Sequence, residues 1–403
     1  MEELFIARQP IYDTELSVIG YELLYRSGDM DHAVFDDGDL ASCETIMNTF
    51  MHIGVDTLVG STLAFINLPE QFITNPALTP MLRKQSVLEI LEDVEPTEQV
   101  IQGIKQLKSL GYKIALDDFE YDDKYIPFLQ LADFIKLDVN TRTEDELTEQ
   151  LQTVSPYQAK LVAEKVETQE LYNICKQLGF EYFQGFFFCH PQLIRHKHTP
   201  ANKMVVLNLL SRVQSPDLDF DEFESILAQD ITLTYKLMRY INSAAFPFRR
   251  EVDSIKDAIV LLGINNMKDW VTLIMMSKII ENKPDELIVT AMIRGKMCEL
   301  LAEKYQPDIK HQMFIIGLFS VLDALMDMPM VDLLDSITLS APVKLALLDK
   351  TGRHGEIYQQ VLLYEHSEWD QLNNDGFNQH DLMMHYLQAV NWADSHIQAL
   401  LAA

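Results

Sequence analysis

Short apolar runs that end in polar residues recur through the first half of this chain, and very few folds accept that pattern. Glu22, Asn67, Glu89, Asp117, Asp118, Lys136, Glu164 and Gln184 stand within or just after such runs. Strand signals cover Phe5-Ile6-Ala7 ahead of Gln9-Pro10, then Val18 to Arg26, Leu63 to Leu68, Val87 to Leu91, Lys113 to Leu116, Phe134 to Leu137, Leu161 to Ala163 and Tyr182 to Phe188. Most are short and apolar, as strands covered by helices should be. Helical stripes fall between them. Val100, Ile101, Ile104 and Leu107 form one, closed by Gly111. Leu171, Ile174, Cys175 and Leu178 form another, with Thr168 as N-cap and Gly179 as stop. Strand and helix alternating in this way predict a parallel (β/α)8 barrel with polar residues at the carboxyl ends of its strands.

Carboxylates and an amide oxygen converging at one rim are hard ligands, suited to Mg²⁺ or Mn²⁺. Glu22, Leu24 and Arg26 are spaced by two, so they share one strand face. A metal for Glu22 and a phosphate for Arg26 would satisfy both charges; a structural Glu22–Arg26 ion pair would do so as well. Asp117 and Asp118 repel each other unless a cation lies between them, although an Asp-Asp pair is also at home in a solvated turn. Lys136 has apolar neighbours in Ile135-Lys136-Leu137, and a buried lysine needs carboxylates close by.

These residues resemble the signature of EAL domains. The match runs through Gly20-Tyr21-Glu22-Leu23-Leu24-Tyr25-Arg26, Phe65-Ile66-Asn67-Leu68, Leu88-Glu89-Ile90-Leu91-Glu92, Ala115-Leu116-Asp117-Asp118-Phe119, Ile135-Lys136-Leu137-Asp138, Ala163-Glu164-Lys165-Val166-Glu167-Thr168 and Phe183-Gln184-Gly185. The resemblance implies a barrel that hydrolyses cyclic di-GMP to linear pGpG with two divalent cations. Glu22, Asn67, Glu89 and Asp117 would hold one ion. Asp117 and Asp118 would serve the second, with Glu164 and Gln184 close by. Lys136 would orient or polarise the attacking water, and Arg26 and Gln9 would face the substrate. Two cations offset phosphodiester charge and lower the pKa of a water for in-line attack.

Three positions depart from the pattern. Leu23 stands where the family usually has alanine. Lys165 replaces the usual glycine and brings a cation near the site. After Asp118, Glu120-Tyr121-Asp122-Asp123-Lys124-Tyr125 replaces the family's Gly-Thr-Gly-Tyr-Ser-Ser loop. Those glycines permit a tight loop that couples the metal site to a dimer interface. Glu92, the implied anchor of that loop, is retained.

The second half is different in kind. Arg195-His196-Lys197-His198-Thr199-Pro200 reads as a linker. Its two histidines suit solvent better than a metal. Leu233 to Phe246, followed by Ser254 to Gly263, resembles an HDOD domain, an all-helical relative of the HD hydrolases. Ser320-Val321 stands where catalytic relatives carry His-Asp, and valine has no lone pair for a metal. Met275, Met276, Met292 and Met297 suit a helix core better than an adaptable partner groove. The expected organisation is a barrel over 1–192, a linker over 193–200 and a helical domain with a C-terminal extension over 201–403.

Composition narrows the partners. A formal charge of −29 disfavours duplex DNA and anionic lipid, so no direct nucleic-acid or membrane binding is expected. No apolar run is long enough to span a bilayer, and the acidic start is wrong for a secretory signal. Four scattered cysteines without a C-x-x-C pair suit neither a disulfide framework nor a zinc ribbon. The expectation is a cytoplasmic cyclic di-GMP phosphodiesterase whose HDOD half regulates it or binds a protein, with room for a homodimer. The alternative is an inactive cyclic di-GMP receptor or scaffold, motivated by the altered loop.

Overall fold

A computed structural model describes residues 4–27, 54–76, 85–189, 201–215, 217–229, 231–243, 246, 252–279, 283–372 and 376–402. The expected linker, with His196 and His198, lies outside the described residues, as does the side chain of Arg26. The chain divides into two compact units, Met1–Phe188 and Cys189–Ala403.

Eight strands close the first unit into a barrel in sequence order. They are β1 (Leu4–Asp13), β2 (Val18–Ser27), β3 (Leu63–Asn67), β4 (Ser86–Ile90), β5 (Lys113–Leu116), β6 (Phe134–Asp138), β7 (Lys160–Glu164) and β8 (Tyr182–Gln184). From β2 to β8 every neighbouring pair is parallel. The expectation of an all-parallel barrel fails at β1, which runs antiparallel to both β2 and β8. The physical reason is the connection. Only Thr14-Glu15-Leu16-Ser17 separates β1 from β2, too few residues for the crossover that a parallel pair needs. The Asp13 carboxylate accepts from the backbone N–H groups of Glu15 and Ser17 and closes this turn. Pro10 is tolerated within β1 because β8 pairs only with Ile11–Asp13.

Inside the barrel, Ile11, Phe65, Val87, Ala115, Phe134 and Val162 form one buried apolar cluster. Phe65 and Phe134 meet edge to face at 5.2 Å. The helices outside follow the sequence pattern. Glu98–Ser109 buries Val100, Ile104 and Leu107. It ends at Ser109, two residues before Gly111, whose φ of 99° turns the chain into β5. Gln169–Leu178 is capped by Thr168, which accepts from the Leu171 N–H, and stops at the left-handed Gly179.

The second unit is helical throughout its described residues. Its long helix Glu286–Tyr305 packs against Lys310–Phe319 and Gln379–Ala402. The first contact is close because two glycines meet: a Cβ on Gly317 would stand 2.3 Å from the Gly295 nitrogen. Met275, Met276, Met292 and Met297 are buried core residues, so they do not line a partner groove. Among the described residues no single helix is long and apolar enough to cross a membrane.

Ser320 and Val321 sit at the end of Lys310–Phe319. Val321 is fully buried, and the Ser320 hydroxyl accepts from the Arg294 guanidinium at 3.2 Å. Arg294 also donates to both oxygens of Glu365, at 2.6 and 2.9 Å. This planar two-point pairing is the geometry that makes a buried guanidinium tolerable. Removing one partner leaves the other charge buried and alone. Arg294→Ala should therefore destabilise the helical unit by about 3–5 kcal/mol, read as a lower urea midpoint. A loss below about 1 kcal/mol would mean that solvent reaches Glu365.

Candidate functional site

Strand periodicity builds this site. Most of the implied residues stand two positions beyond an interior residue of the same strand: Asn67 beyond Phe65, Glu89 beyond Val87, Asp117 beyond Ala115, Lys136 beyond Phe134 and Glu164 beyond Val162. Alternation turns both members of each pair to the barrel interior, and the parallel direction lifts the second one towards the carboxyl rim. Gln184 follows Tyr182, which packs against the same cluster. On the antiparallel β1 the order reverses, so Gln9 stands above Ile11 and opposite Glu22. The register also sets Asn67 beside Glu89 and Asp138 beside Glu164.

The centre is Lys136, whose side chain has no exposed surface. Its Nζ lies 3.0 Å from Glu22 Oε2, 2.7 Å from Glu89 Oε1, 2.6 Å from Asp117 Oδ1 and 2.9 Å from Glu164 Oε1. Directed hydrogen bonds go to Glu22 and Asp117. An ammonium has three protons for these four carboxylates, so one must go without. Glu89 is the most deeply buried of the four: its Oε1 is ion-paired with the ammonium, and its Oε2 has no hydrogen-bond partner among the described residues. The Asn67 Oδ1 and Gln184 Oε1 atoms are buried and unpartnered in the same way.

Gln184 donates to Gln9 Oε1 at 2.9 Å and to Glu22 Oε2 at 2.6 Å, which fixes the Glu22 carboxylate from the β8 side. Tyr25 donates to the Asn67 carbonyl at 2.7 Å and pins the end of β3. Lys136 and Gln184 both hold the Oε2 atom of Glu22.

Four carboxylates against one ammonium leave excess negative charge in a space that water cannot screen. The titration behaviour reflects this. Burial pushes Glu164 up to about 8, and the pull of Lys136 offsets only part of that. Burial likewise raises Glu89 well above the ordinary range, with Glu22 and Asp117 adding to the effect. Burial disfavours the charged form of Lys136, but the attraction of Asp117, Glu164, Glu22 and Glu89 outweighs it and holds the ammonium firmly protonated.

Among the described residues no group of three or more carboxylates forms a ready metal cage, and what suits divalent cations is the chemistry of the residues, on three counts. Their charge is uncompensated, their free oxygens are buried and unpartnered, and their donor set is hard oxygen. Glu22, Glu89 and Asp117 meet at the Lys136 ammonium, Asn67 stands beside Glu89 in the strand register, and the more exposed Asp118 lies at the outer edge. At that outer edge Lys165 reaches Asp138 at 2.7 Å and Asp118 at 3.4 Å. Asp138 carries no signal in the sequence beyond its place after Lys136-Leu137, and its contact with Lys165 emerges only in three dimensions.

The loop after Asp118 is held without glycine. Asp122 accepts from the Lys124 N–H and starts a single helical turn over Asp123–Tyr125. Lys124 pairs with Glu95 at 2.8 Å, and Tyr125 donates to the Glu92 carbonyl at 3.2 Å. Glu92 thus meets the loop through its backbone, and the anchoring carboxylate is that of Glu95. Asp117, Asp118, Glu120, Tyr121, Tyr125 and Arg142 help to line a cleft of about 560 Å³ beside this loop.

Comparison with known proteins agrees with the motifs. The EAL domain description matches residues 39–191 and the HDOD domain description residues 199–334. A Vibrio cholerae protein named Cyclic di-GMP phosphodiesterase CdgJ is 30% identical over 401 residues, covering 98% of this chain and 93% of that protein. The chain belongs to the EAL–HDOD family. A second relative, Uncharacterized protein YuxH of Bacillus subtilis, is 30% identical over 406 residues, covering 98% of this chain and 99% of that protein. Among solved structures, an EAL domain protein from Listeria monocytogenes EGD-e aligns with a TM-score of 0.37 and 21% identity, covering 46% of this chain and 87% of that one. The EAL match begins at residue 39, so the strand bearing Glu22 rests on its motif and its place in the barrel.

A pH dependence follows for this EAL barrel without metal. The folded Glu164 holds its proton up to about 8, against an ordinary value of 4.5. Its stabilising contribution is therefore full below the lower value and lost as the pH rises through the upper one. In chelator, the melting temperature of the native protein should fall more steeply between about pH 5 and about pH 8.5 than that of Glu164→Gln. Parallel curves would show that Glu164 is ionised throughout.

Proposed function

We propose that the barrel is a metal-dependent phosphodiesterase that hydrolyses cyclic di-GMP to linear pGpG. The observation that carries this reading is the buried Lys136 ammonium inside four carboxylates, with buried oxygens on Glu89 (Oε2), Asn67 and Gln184 that lack a hydrogen-bond partner among the described residues. Family membership and the name of the Vibrio cholerae relative support a hydrolase.

In this reading Glu22, Asn67, Glu89 and Asp117 hold one Mg²⁺ or Mn²⁺, and Asp117 and Asp118 hold a second. When bound, the ions neutralise phosphate charge and make a water nucleophilic at neutral pH. The remaining work belongs to the chain. Lys136 keeps Glu22 and Asp117 in place and presents a fixed positive charge beside them. Gln184 orients Glu22 and ties it to Gln9. Glu164 faces the same ammonium and stands ready to hold or release a proton at its carboxyl oxygen near neutral pH. Arg26 and Gln9 serve the substrate.

The helical unit is proposed as the regulatory or partner-binding half. At the position where catalytic relatives carry ligands, it places Val321 and a guanidinium–carboxylate pair. Cys175, Cys189 and Cys298 are free thiols, which suits a reducing, cytoplasmic setting. The receptor alternative rests on the Glu120–Tyr125 loop. The loop is ordered by Lys124–Glu95 and Tyr125–Glu92, which favours a built feature of a working rim over a decayed one.

Full-length protein in Mn²⁺ should convert cyclic di-GMP to pGpG, as followed by chromatography. Glu22→Ala should lower turnover by more than roughly a hundredfold, since it removes a ligand and leaves Lys136 under-paired. Saturable binding of cyclic di-GMP without product would establish the receptor instead.

A further inference from the structure

Two strained residues touch at the outer rim of the barrel. Six non-glycine residues among those described have positive φ, and two of them are Asp118 at 39° and Lys165 at 55°. Such backbone is unfavourable for residues with a Cβ, and it persists where the surroundings enforce it. Here it follows the ends of β5 and β7 and turns the two side chains towards each other. The Lys165 ammonium lies 2.7 Å from Asp138 Oδ2 and 3.4 Å from Asp118 Oδ2. Asp138 is well covered, with 13% of its side chain exposed, whereas Asp118 is 42% exposed.

We propose that Lys165 is a tethered cation for the outer carboxylates, which occupies Asp118 until a second divalent ion displaces it. The proposal rests on the two-ion reading of the barrel and adds a control that this chain carries in its own sequence. The contacts are unequal in the way such a control needs. The short bond to the sheltered Asp138 anchors the ammonium, and the long contact to the exposed Asp118 is the one that yields. A second ion must then bind against the loss of that contact and against the positive charge of Lys165. The inner position also meets an ammonium, Lys136, but there four carboxylates share one positive charge, whereas at the outer edge Asp118 and Asp138 share Lys165. The barrel should therefore take one divalent ion tightly and the second weakly.

The test is a Mn²⁺ titration of the full-length protein without substrate, with free Mn²⁺ read by electron paramagnetic resonance. Native protein should show one tight and one weaker step above a background of surface carboxylates common to all variants. Lys165→Met removes the charge, Lys165→Gly also relieves the backbone strain, and Lys165→Arg keeps the charge. The Met and Gly variants should tighten the weaker step by roughly tenfold, and the Arg variant should follow the native curve. Superimposed curves for native, Met and Gly proteins would overturn the proposal, as would an Arg variant that behaves like Met. Turnover of cyclic di-GMP is measured separately. A curve that depends on Lys165 in a protein without turnover would reject the phosphodiesterase and leave this control standing.

Discussion

The barrel depends on one buried ammonium. A lysine with no exposed surface is costly to desolvate, and here the cost is met by carboxylates from β2, β4, β7 and the end of β5. Those strands must keep their register for the charges to meet. A slip of one residue would turn Lys136 into the outer layer and leave Glu89 buried alone. Charge and topology thus constrain each other. The compensation is deliberately incomplete in its physical effect, because one ammonium cannot satisfy four carboxylates, and the remainder of the site follows from that shortfall.

The shortfall also explains how the rim is layered. At the inner level, four carboxylates share one ammonium, and buried oxygens of Glu89, Asn67 and Gln184 without a hydrogen-bond partner among the described residues create demand for a cation. At the outer level, exposed Asp118 and sheltered Asp138 share Lys165. The adjoining loop meets its own charge with Lys124 and Glu95 rather than through glycine turns. The result is a graded site, dry and over-charged below, wetter and internally paired above. In the helical unit a comparable buried charge is closed off by a matched pair, Arg294 with Glu365, which leaves no such demand.

Much of this was legible in the sequence because strand alternation is a local rule. Once Phe65, Val87, Ala115, Phe134 and Val162 are interior, the residues two places on must share their face. The antiparallel β1 was also legible in principle, since four residues cannot make a crossover, but the alternation of later elements masks it. The Lys165–Asp138 contact and the Arg294–Glu365 pair were not legible. Each joins residues from separate elements with no local pattern, and only the closed fold brings them together. The anchoring of the altered loop by Glu95 rather than by the Glu92 carboxylate depends on side-chain reach, which spacing does not reveal.

The central claim is that the inner carboxylates are under-compensated and demand a divalent cation. The most direct measurement is the melting temperature of the full-length protein in chelator and in saturating Mn²⁺, beside Glu89→Gln. The expected result is a saturable rise for the native protein, since an ion that binds only the folded state stabilises it by mass action. Glu89→Gln should be more stable than the native protein in chelator and should gain less from Mn²⁺. A native barrel indifferent to Mn²⁺, or a Glu89→Gln variant that gains as much as the native protein, would contradict the claim.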